Sequence, residues 1–402
     1  MEYNIESSKC CGCGACKFVC SKGAIRLKED KYGFVVAEID EDLCVKCGAC
    51  KKVCPFENRP LVNNTLLTAY AGANKNSSAI KECASGGIFY TIAQCILSEG
   101  GIVYGTAYDT EFNVKVIFAE TKEDLKQMLG SKYVQSSLAD AFSYIRQDLE
   151  TNRTVLFCGT PCQVAALRNV FGKYENLFLI DIVCHGTPNN RFFKDYISFL
   201  QKKNGYTVKE LRFRDKKYGQ DTKGSIVIKT KDKLKRIPLF SFESSYYSLF
   251  LKGAIFRESC YQCPYASKQR VGDISICDFW GIDQHFPEVH RELRQAGLNT
   301  ISGIVVNTEK GTGLIQKVNE DLFLKPVSYE GMRKENPQLN APFKMDSQLR
   351  ATFLSLYVEK GYAAVDKCFH KEYRTSIIIR RIARLFPKSV VKAVVAIKEK
   401  VK

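Results

Sequence analysis

The sequence predicts an N-terminal α+β module, a larger mixed α/β region with at least one parallel βαβ unit, and a basic helical tail. Three observations carry this. Cysteines fall twice into the same C-x2-C-x2-C-x3-C spacing within residues 10–54, on either side of a short segment of strand character. An apolar strand, a helix opened by proline and a second apolar strand follow one another over residues 153–183. From Thr375 onward acidic residues are absent until Glu399, while Arg and Lys are interspersed with aliphatic residues.

The first cysteine run is Cys10, Cys13, Cys16 and Cys20; the second is Cys44, Cys47, Cys50 and Cys54, followed by Pro55. This is the bacterial ferredoxin spacing, in which the fourth cysteine of each run ligates the other of two 4Fe–4S clusters. One cluster is therefore expected on Cys10, Cys13, Cys16 and Cys54, the other on Cys44, Cys47, Cys50 and Cys20. Three cysteines two residues apart wrap a loop around three corners of a cube, and the fourth opens a short helix toward the opposite cube. Gly12, Gly14 and Gly48 let backbone N–H groups approach the sulfurs. Lys9, Lys17, Lys46, Lys51 and Lys52 favour thiolate. Between the runs, residues 24–27 and 34–39 read as two strands joined by a turn at Gly33. The rival is zinc, which also uses paired C-x2-C, but a triplet run is unusual for zinc. Ser21 stands where proline often follows the fourth cysteine, and Cys11 is left over as a small hydrophobe.

The chain has 402 residues, enough for two or three domains. With 45% hydrophobic and 26% charged residues it reads as globular, and it contains no uninterrupted apolar stretch of spanning length. Residues 1–9 carry Glu2 and Glu6 and lack an apolar stretch, so no ordinary secretory signal is expected. Eighteen cysteines in a reducing compartment point to metal or redox chemistry rather than disulfides. The formal charge of +17 counts every cysteine as neutral. Three 4Fe–4S sites, each a net dianion with its four thiolates, would lower it to roughly +11. The remaining basic excess suits an acidic redox partner or an anionic membrane surface. No nucleic-acid motif is present, so no nucleic-acid partner is expected.

Residues 57–65, with Asn58, Pro60, Asn63 and Asn64, read as a linker. Beyond it come a strand at 66–72 and a helix over 79–97 with Ser85-Gly86-Gly87 near its start. Strands at 101–108 and 114–119 and a helix opened by a Thr121/Asp124 capping box follow. The βαβ unit comprises strand 153–158, helix 161–171 and strand 177–183, which implies parallel strands and a right-handed crossover. Cys162 follows its first strand and Cys184 its second, so both emerge at the carboxyl edge of one sheet, where open α/β sheets bind ligands. Cys260 and Cys263 form a further C-x2-C. These four are expected to hold a third 4Fe–4S cluster. Alone, Cys162 and Cys184 read equally as buried small residues, and Cys158 is the rival to Cys162 but sits inside a strand. Ser85-Gly86-Gly87 is a candidate anion site at a helix start. Clusters move single electrons, whereas most organic substrates exchange two, and a flavin is the usual converter. No G-x-G-x-x-G follows a strand, so a standard dinucleotide fold is not expected.

These motifs occur in a fixed order: the cysteine runs, Ser85-Gly86-Gly87, residues 131–136 (Ser-Lys-Tyr-Val-Gln-Ser), Gly159-Thr160-Pro161-Cys162-Gln163, Cys184-His185-Gly186-Thr187-Pro188, Cys260 and Cys263, and Gly272-Asp273-Ile274 leading to Asp278-Phe279-Trp280-Gly281. Over residues 1–315 the chain resembles the family of coenzyme F420 hydrogenase/dehydrogenase beta subunits, which includes those of F420-reducing hydrogenases and plant 7-hydroxymethyl chlorophyll a reductase. The resemblance implies an FAD-binding α/β domain with its own 4Fe–4S cluster, in which the flavin serves a two-electron substrate or carrier. It implies Cys162, Cys184, Cys260 and Cys263 as third-cluster ligands, and Ser85, Gly86, Gly87, Lys132, Gln135 and Ser136 as flavin-site residues. The division that follows is 1–59 (ferredoxin-type), 66–150 (flavin site), 151–330 (third cluster), 331–374 (helical extension) and 375–402 (basic tail).

The expected activity is an FAD- and iron–sulfur-dependent oxidoreductase acting on a small molecule, with coenzyme F420 among the candidates. The alternative is a non-catalytic electron-transfer subunit of a larger redox complex. Partners would be ferredoxin or a catalytic subunit. His185 is a weak candidate proton donor, since a lone histidine is more often structural. Trp280 suits core or interface packing better than stacking on a flavin. In the tail, Ile378, Ile382, Leu385, Val391, Val394 and Ile397 alternate with Arg380, Arg381, Arg384, Lys388, Lys392 and Lys398, with Pro387 dividing the run. A basic amphipathic helix of this kind reads as a membrane-surface contact or a helix docked on the body. A cytoplasmic protein, peripheral at the inner membrane surface at most, is expected.

Overall fold

The computed structural model describes residues 6–60, 68–218, 223–231 and 233–386. Its N-terminal module is a two-stranded antiparallel hairpin, β1 (Ile25–Glu29) and β2 (Val35–Ile39), flanked by short helices Ala15–Val19 and Ala49–Val53. The turn between the strands is built by Asp30, whose carboxylate accepts from the N–H groups of Tyr32 and Phe34 at 2.9 Å. Both helices start behind a glycine in the left-handed region, Gly14 (φ 84) and Gly48 (φ 75). That conformation carries little penalty only without a Cβ.

The body is one eight-stranded sheet. Its strands are β3 (Thr68–Asn74), β4 (Ile102–Tyr108), β5 (Val114–Ala119), β6 (Val155–Gly159), β7 (Leu177–Ile182), β11 (Ile274–Asp278), β12 (Ser302–Val306) and β13 (Leu322–Val327). Their order is β13-β3-β12-β11-β7-β6-β4-β5. The centre, β11-β7-β6-β4, is parallel, and antiparallel strands close both sides. Strands from either side of residue 150 share this sheet. Parallel strands are covered on both faces and read as unbroken apolar runs. Accordingly Val155, Leu156 and Phe157 are fully buried. Helix Pro161–Phe171 and helix Ala141–Glu150 cover one face through Phe142, Ile145, Val164 and Leu167. Helix Ile88–Ser98 covers the other through Ile88, Ile92 and Ile96.

A second lobe sits beside the main sheet. The antiparallel strands β8 (Thr207–Arg212), β9 (Lys223–Thr230) and β10 (Lys233–Phe240) pack with helices Asn190–Asn204, Ser245–Leu251 and Ser347–Glu372 around an aromatic core. Two of the buried hydroxyls there bond to the backbone: Tyr246 donates to the Tyr133 carbonyl at 2.7 Å and Tyr247 to that of Phe213 at 2.8 Å.

Most expected strands and helices are found within a residue or two of their predicted ends, and helix Pro161–Phe171 and strand β5 match fully. The capping box at Thr121 is present in both directions. In the body, one expected boundary fails. The helix expected over 79–97 begins only at Ile88, with Gly87 (φ 84) as its N-cap, and residues 75–87 are turns and bends. Gly86 sits against its neighbours so tightly that a Cβ would lie 2.6 Å from the Gly72 carbonyl. The glycine pair therefore ends a turn packed on β3 rather than lying inside a helix. Of the tail, helix Arg374–Ala383 is described; Arg384 lies 3.5 Å over the Phe240 ring and Arg381 pairs with Glu243 at 2.7 Å. Ile379 and Leu385 are exposed. Pro387, Lys388, Val391, Lys392, Val394, Ile397 and Lys398 lie outside the described residues. Among the described residues no helix is long and apolar enough to cross a membrane.

Candidate functional site

Cys10, Cys13, Cys16 and Cys54 line one cavity together with Cys11, Gly12 and Gly14. The pseudo-symmetric placement explains it. Cys20 and Cys54 do not open a short helix as expected; each caps the C-terminus of one in extended conformation, because the helix is started by the preceding left-handed glycine, Gly14 or Gly48. The Gly12 N–H donates to the Cys10 sulfur at 3.4 Å. Burial, then the nearby Cys10 and Cys54, push the Cys16 thiol up to about 12. In the other run, burial first and then Cys44 and Cys47 raise Cys50. Cys47 is exposed, whereas Cys13 is buried.

A second cavity gathers Cys162, Cys184, Cys260 and Cys263, with Cys11 and Cys13 of the N-terminal loop in the same wall. Cys162 sits in the first turn of helix Pro161–Phe171, behind the Thr160/Gln163 capping box. Cys184 follows β7, and Cys260 lies in the turn Glu258–Gln262. The hydroxyls of Thr160 and Thr187 reach the sulfurs of Cys162 (3.3 Å) and Cys260 (3.8 Å). All four thiols are raised. For Cys162 the first cause is the hydrogen bond its thiol donates to Cys11, and burial follows. For Cys184 it is burial, then Cys260, Cys162 and Cys263. Burial also raises Cys260 and pushes Cys263 up to about 12. Four thiols gathered on one cavity, each raised by its surroundings, do not ionise together unless a cationic core compensates them. Among the described residues no three Cys, His, Asp or Glu side chains are placed around a single metal ion. The donor set here rings a cavity.

Cys11, expected as a spare hydrophobe, is buried but also lies against both Cys13 and Cys162. Cys158 stays within β6 and contributes to the packing around it.

The residues implied for a flavin divide into two places. Gln135 and Ser136 line the second cysteine cavity. Gln135 is occupied there: its Nε2 donates to the Cys11 carbonyl at 2.7 Å and its Oε1 accepts from Arg257. Ser136 accepts from Gln163 Nε2 at 2.9 Å. Ser85, Gly86 and Gly87 lie against β12: the Gly86 N–H donates to Ser302 Oγ at 2.9 Å, and Ser85 Oγ donates to the Ile301 carbonyl. That Gly86 N–H is not open to an anion. Lys132 donates to the carbonyls of Gln127, Leu129 and Gly130, and burial brings its ammonium down to about 7. Lys216 donates to Ile80 and Ser85 carbonyls at 2.6 and 2.7 Å and is lowered to about 8, again chiefly by burial. Arg212 is electrostatically coupled to Lys132, and Arg214 to Lys216. The Tyr108 hydroxyl, on a ring that Lys132 overlies at 6.0 Å, is buried and has no hydrogen-bond partner among the described residues. Arg212 is paired with Glu82 and Glu210 and Arg214 with Asp278, and Asp278 also acts on Lys216. Among the described residues the hydrogen bonds of the two lysines themselves go to neutral carbonyls, so a phosphate group would give each a charged partner.

His185 is ringed by Phe250, Phe256 and Phe343, with Nε2 3.3 Å from the Leu251 carbonyl, and burial lowers it. The ring is packed among aromatics and also lines the second cysteine cavity. Trp280 is 40% exposed, with Arg214 5.1 Å over its ring. Sequence reasoning missed Arg257, Arg214 and Lys216. A basic residue three positions before Cys260 was the only trace of the first, and the others belong to no motif.

Residues 152–330 match the family described as the C terminus of the coenzyme F420 hydrogenase/dehydrogenase beta subunit, and residues 9–58 match the 4Fe-4S dicluster domain. The chain is 24% identical over 244 residues to the F subunit of F(420)H(2) dehydrogenase from Methanosarcina mazei, an alignment covering 57% of this chain and 66% of that protein. It is also similar to a chain of the F420-reducing [NiFe] hydrogenase complex from Methanosarcina barkeri, at 16% identity and a TM-score of 0.45, covering 72% of this chain and 91% of that one.

Proposed function

We propose that this chain, which belongs through residues 152–330 to the family of coenzyme F420 hydrogenase/dehydrogenase beta subunits and through residues 9–58 to the 4Fe-4S dicluster domains, is an oxidoreductase that relays single electrons through three cubane sites to or from an FAD-coupled two-electron substrate. The observation that carries this is the convergence of Cys162, Cys184, Cys260 and Cys263 on one cavity whose wall includes the N-terminal Cys11 and Cys13. Sequence-distant thiols meeting beside a dicluster domain suit an electron path better than structural packing.

The residues have separate tasks in this reading. Cys10, Cys13, Cys16 and Cys54 hold one centre, Cys44, Cys47, Cys50 and Cys20 the next, and the four converging thiols the third. Thr160 and Thr187 orient hydroxyls at the third-site sulfurs. Lys132 and Lys216 at the carboxyl edge are the best-supported contacts for a flavin diphosphate, because each lacks a hydrogen-bonded carboxylate. Bound FAD would supply the exchange between one- and two-electron chemistry. Coenzyme F420 is the natural first substrate to assay, since it appears in the names of the family and the curated relative.

Iron, sulfide and flavin quantitation on anaerobically purified protein tests the reading. Iron for three cubanes and one flavin per chain is expected. Colourless protein containing zinc alone would end it. A specific observation favours the second reading, a relay subunit: the curated relative is itself called a subunit. Turnover of a small acceptor by the isolated chain marks an enzyme. Reduction without turnover until a partner chain is added marks a relay.

A further inference from the structure

Arg257 is 3% exposed and forms no ion pair among the described residues. Its Nη1 donates to the Cys10 carbonyl at 2.9 Å, and its Nε and Nη2 both donate to Gln135 Oε1, at 3.1 and 2.7 Å. Its guanidinium lies 5.3 Å over the Phe34 ring. Every hydrogen-bond acceptor it reaches is therefore neutral. A guanidinium taken out of water without a counter-charge is costly. The compensating charge must come from groups nearby, and Arg257 acts electrostatically on Cys162 and Cys260.

The same residue fastens the two halves of the molecule. Its own N–H donates to the Thr187 carbonyl at 3.0 Å, in the loop that follows Cys184. Ser259 Oγ donates to the Cys10 carbonyl at 3.2 Å, and Gln135 Nε2 to the Cys11 carbonyl at 2.7 Å. The peptide between Cys10 and Gly12 is thus held from three sides. A Cβ on Gly12 (φ +66) would lie 2.5 Å from the Val35 carbonyl and 3.0 Å from Arg257 Nη2. Held this way, the loop presents Cys11 to Cys162. Cys11 is the peptide neighbour of Cys10, so it spans from a residue of the first cysteine site to a residue of the third.

We propose that Arg257 is the positioning residue and shared counter-ion of an electron junction between the Cys10–Cys13–Cys16–Cys54 site and the Cys162–Cys184–Cys260–Cys263 site, with Cys11 as its bridge. This rests on the three-centre reading above. It orders the path: the Cys44–Cys47–Cys50–Cys20 site, with Cys47 exposed, is the outer centre, and the Cys10 site is the inner one. Clusters bound at the two sites would exchange one electron, given up by the inner and taken by the third, and the Arg257 charge would favour the more negative, reduced state of both.

The experiment uses the full chain, anaerobically purified, with EPR-monitored redox titration and amide hydrogen exchange. Arg257→Met removes the charge and keeps the length. Its third centre is expected to lose at least tenfold in electron affinity, about 59 mV for a one-electron couple, and amides 10–14 to lose protection. Arg257→Lys keeps the charge without the fork, so the potential should stay near wild type while the loop loses protection. Gln135→Leu should do the same, and these two variants decide the matter where Arg257→Met loses its third centre. A fully loaded Arg257→Met protein with an unmoved potential would overturn the assignment. Wild-type protein with iron for only two cubanes would overturn the third centre itself, before any variant is made.

Discussion

Replacing Asp181 by asparagine is expected to destabilise the α/β body and to loosen the third cysteine site with it. Asp181 and Arg270 have side chains 0% and 1% exposed, and they form a close ion pair. Asp181 also accepts from the N–H groups of Val271 (3.2 Å) and Gly272 (2.7 Å), while Arg270 donates to Ser275 Oγ (3.1 Å) and to the carbonyls of Tyr265 (2.7 Å) and Ile182 (3.2 Å). The pair ties the end of β7, which leads to Cys184, to the segment that follows Cys263. Removing one member of a buried pair leaves an uncompensated charge and costs about 3–5 kcal/mol. That is a large share of the roughly 5–15 kcal/mol that keeps a domain folded. At about 2–4 °C per kcal/mol for a body of this size, Asp181→Asn should lower the melting temperature by about 6–20 °C. Thermal unfolding followed by circular dichroism measures it, and iron content reports on the site. The double variant Asp181→Leu/Arg270→Met removes both charges and should melt above the single variant. It should stay below wild type, because the Val271 and Gly272 N–H groups lose their acceptor. A shift below about 2 °C for Asp181→Asn would refute the reasoning that this pair, rather than the surrounding apolar packing, fixes the segment.

Three further outcomes follow from other contacts. Cys162→Ser should lose the iron of one centre, whereas Cys158→Ser should keep all of it; iron analysis that ranks them the other way would move the ligand to the strand. Thr121→Ala removes an N-cap whose hydroxyl oxygen accepts from the Asp124 N–H at 3.2 Å, and should cost about 1 kcal/mol in a denaturation series. Lys132 is lowered from 10.5 to about 7 by burial, so above pH 7 the unfolded chain holds a proton that the folded chain has released. Stability through this group therefore rises with pH from about 7 to 10.5. Lys132→Met should flatten that rise relative to wild type in flavin-free protein, as read from unfolding midpoints.

The fold was legible where local chemistry dictates it. Helix Pro161–Phe171 announces itself by Thr160, Pro161 and Gln163, and β5 by its apolar run ending before the Thr121 cap. The two cysteine runs declared their loops by spacing alone. The late start of helix Ile88–Ser98 was not legible, because its boundary is set by Gly86 packing on Gly72 and Ser302, residues distant in sequence. The same limit applies to the site. Cys162 and Cys184 stand at strand ends that topology places on one edge, so their meeting was readable. Arg257, Gln135 and Cys11 act across the contact between module and body. No periodicity or motif encodes a side chain whose partners are the carbonyls of Cys10 and Cys11. Ser136 and Gln163 likewise sit in recognisable segments while their mutual hydrogen bond does not show in either.

The basic excess of this chain acquires a physical sense from where its fully and partly buried cations lie. A surface cation is solvated and contributes little wherever it is placed. Arg257, Lys132 and Lys216 are instead held by carbonyls and, in the case of Arg257, by a side-chain amide, and among the described residues none of them has a carboxylate as hydrogen-bond partner. Arg270, by contrast, is fully paired with Asp181 and serves the scaffold. The molecule thus separates cations that fasten the sheet from cations left short of negative charge. The unpaired ones cluster at two places, beside the converging cysteines and at the carboxyl edge near Tyr108. Thiolate-held iron–sulfur cores and a diphosphate are both anionic. Neutralising Arg257 should therefore act on the cysteine site alone, and neutralising Lys132 or Lys216 on flavin retention alone. A Lys132→Met protein that keeps its flavin through gel filtration, but loses third-site iron, would show that the two groups of cations do not serve separate ligands.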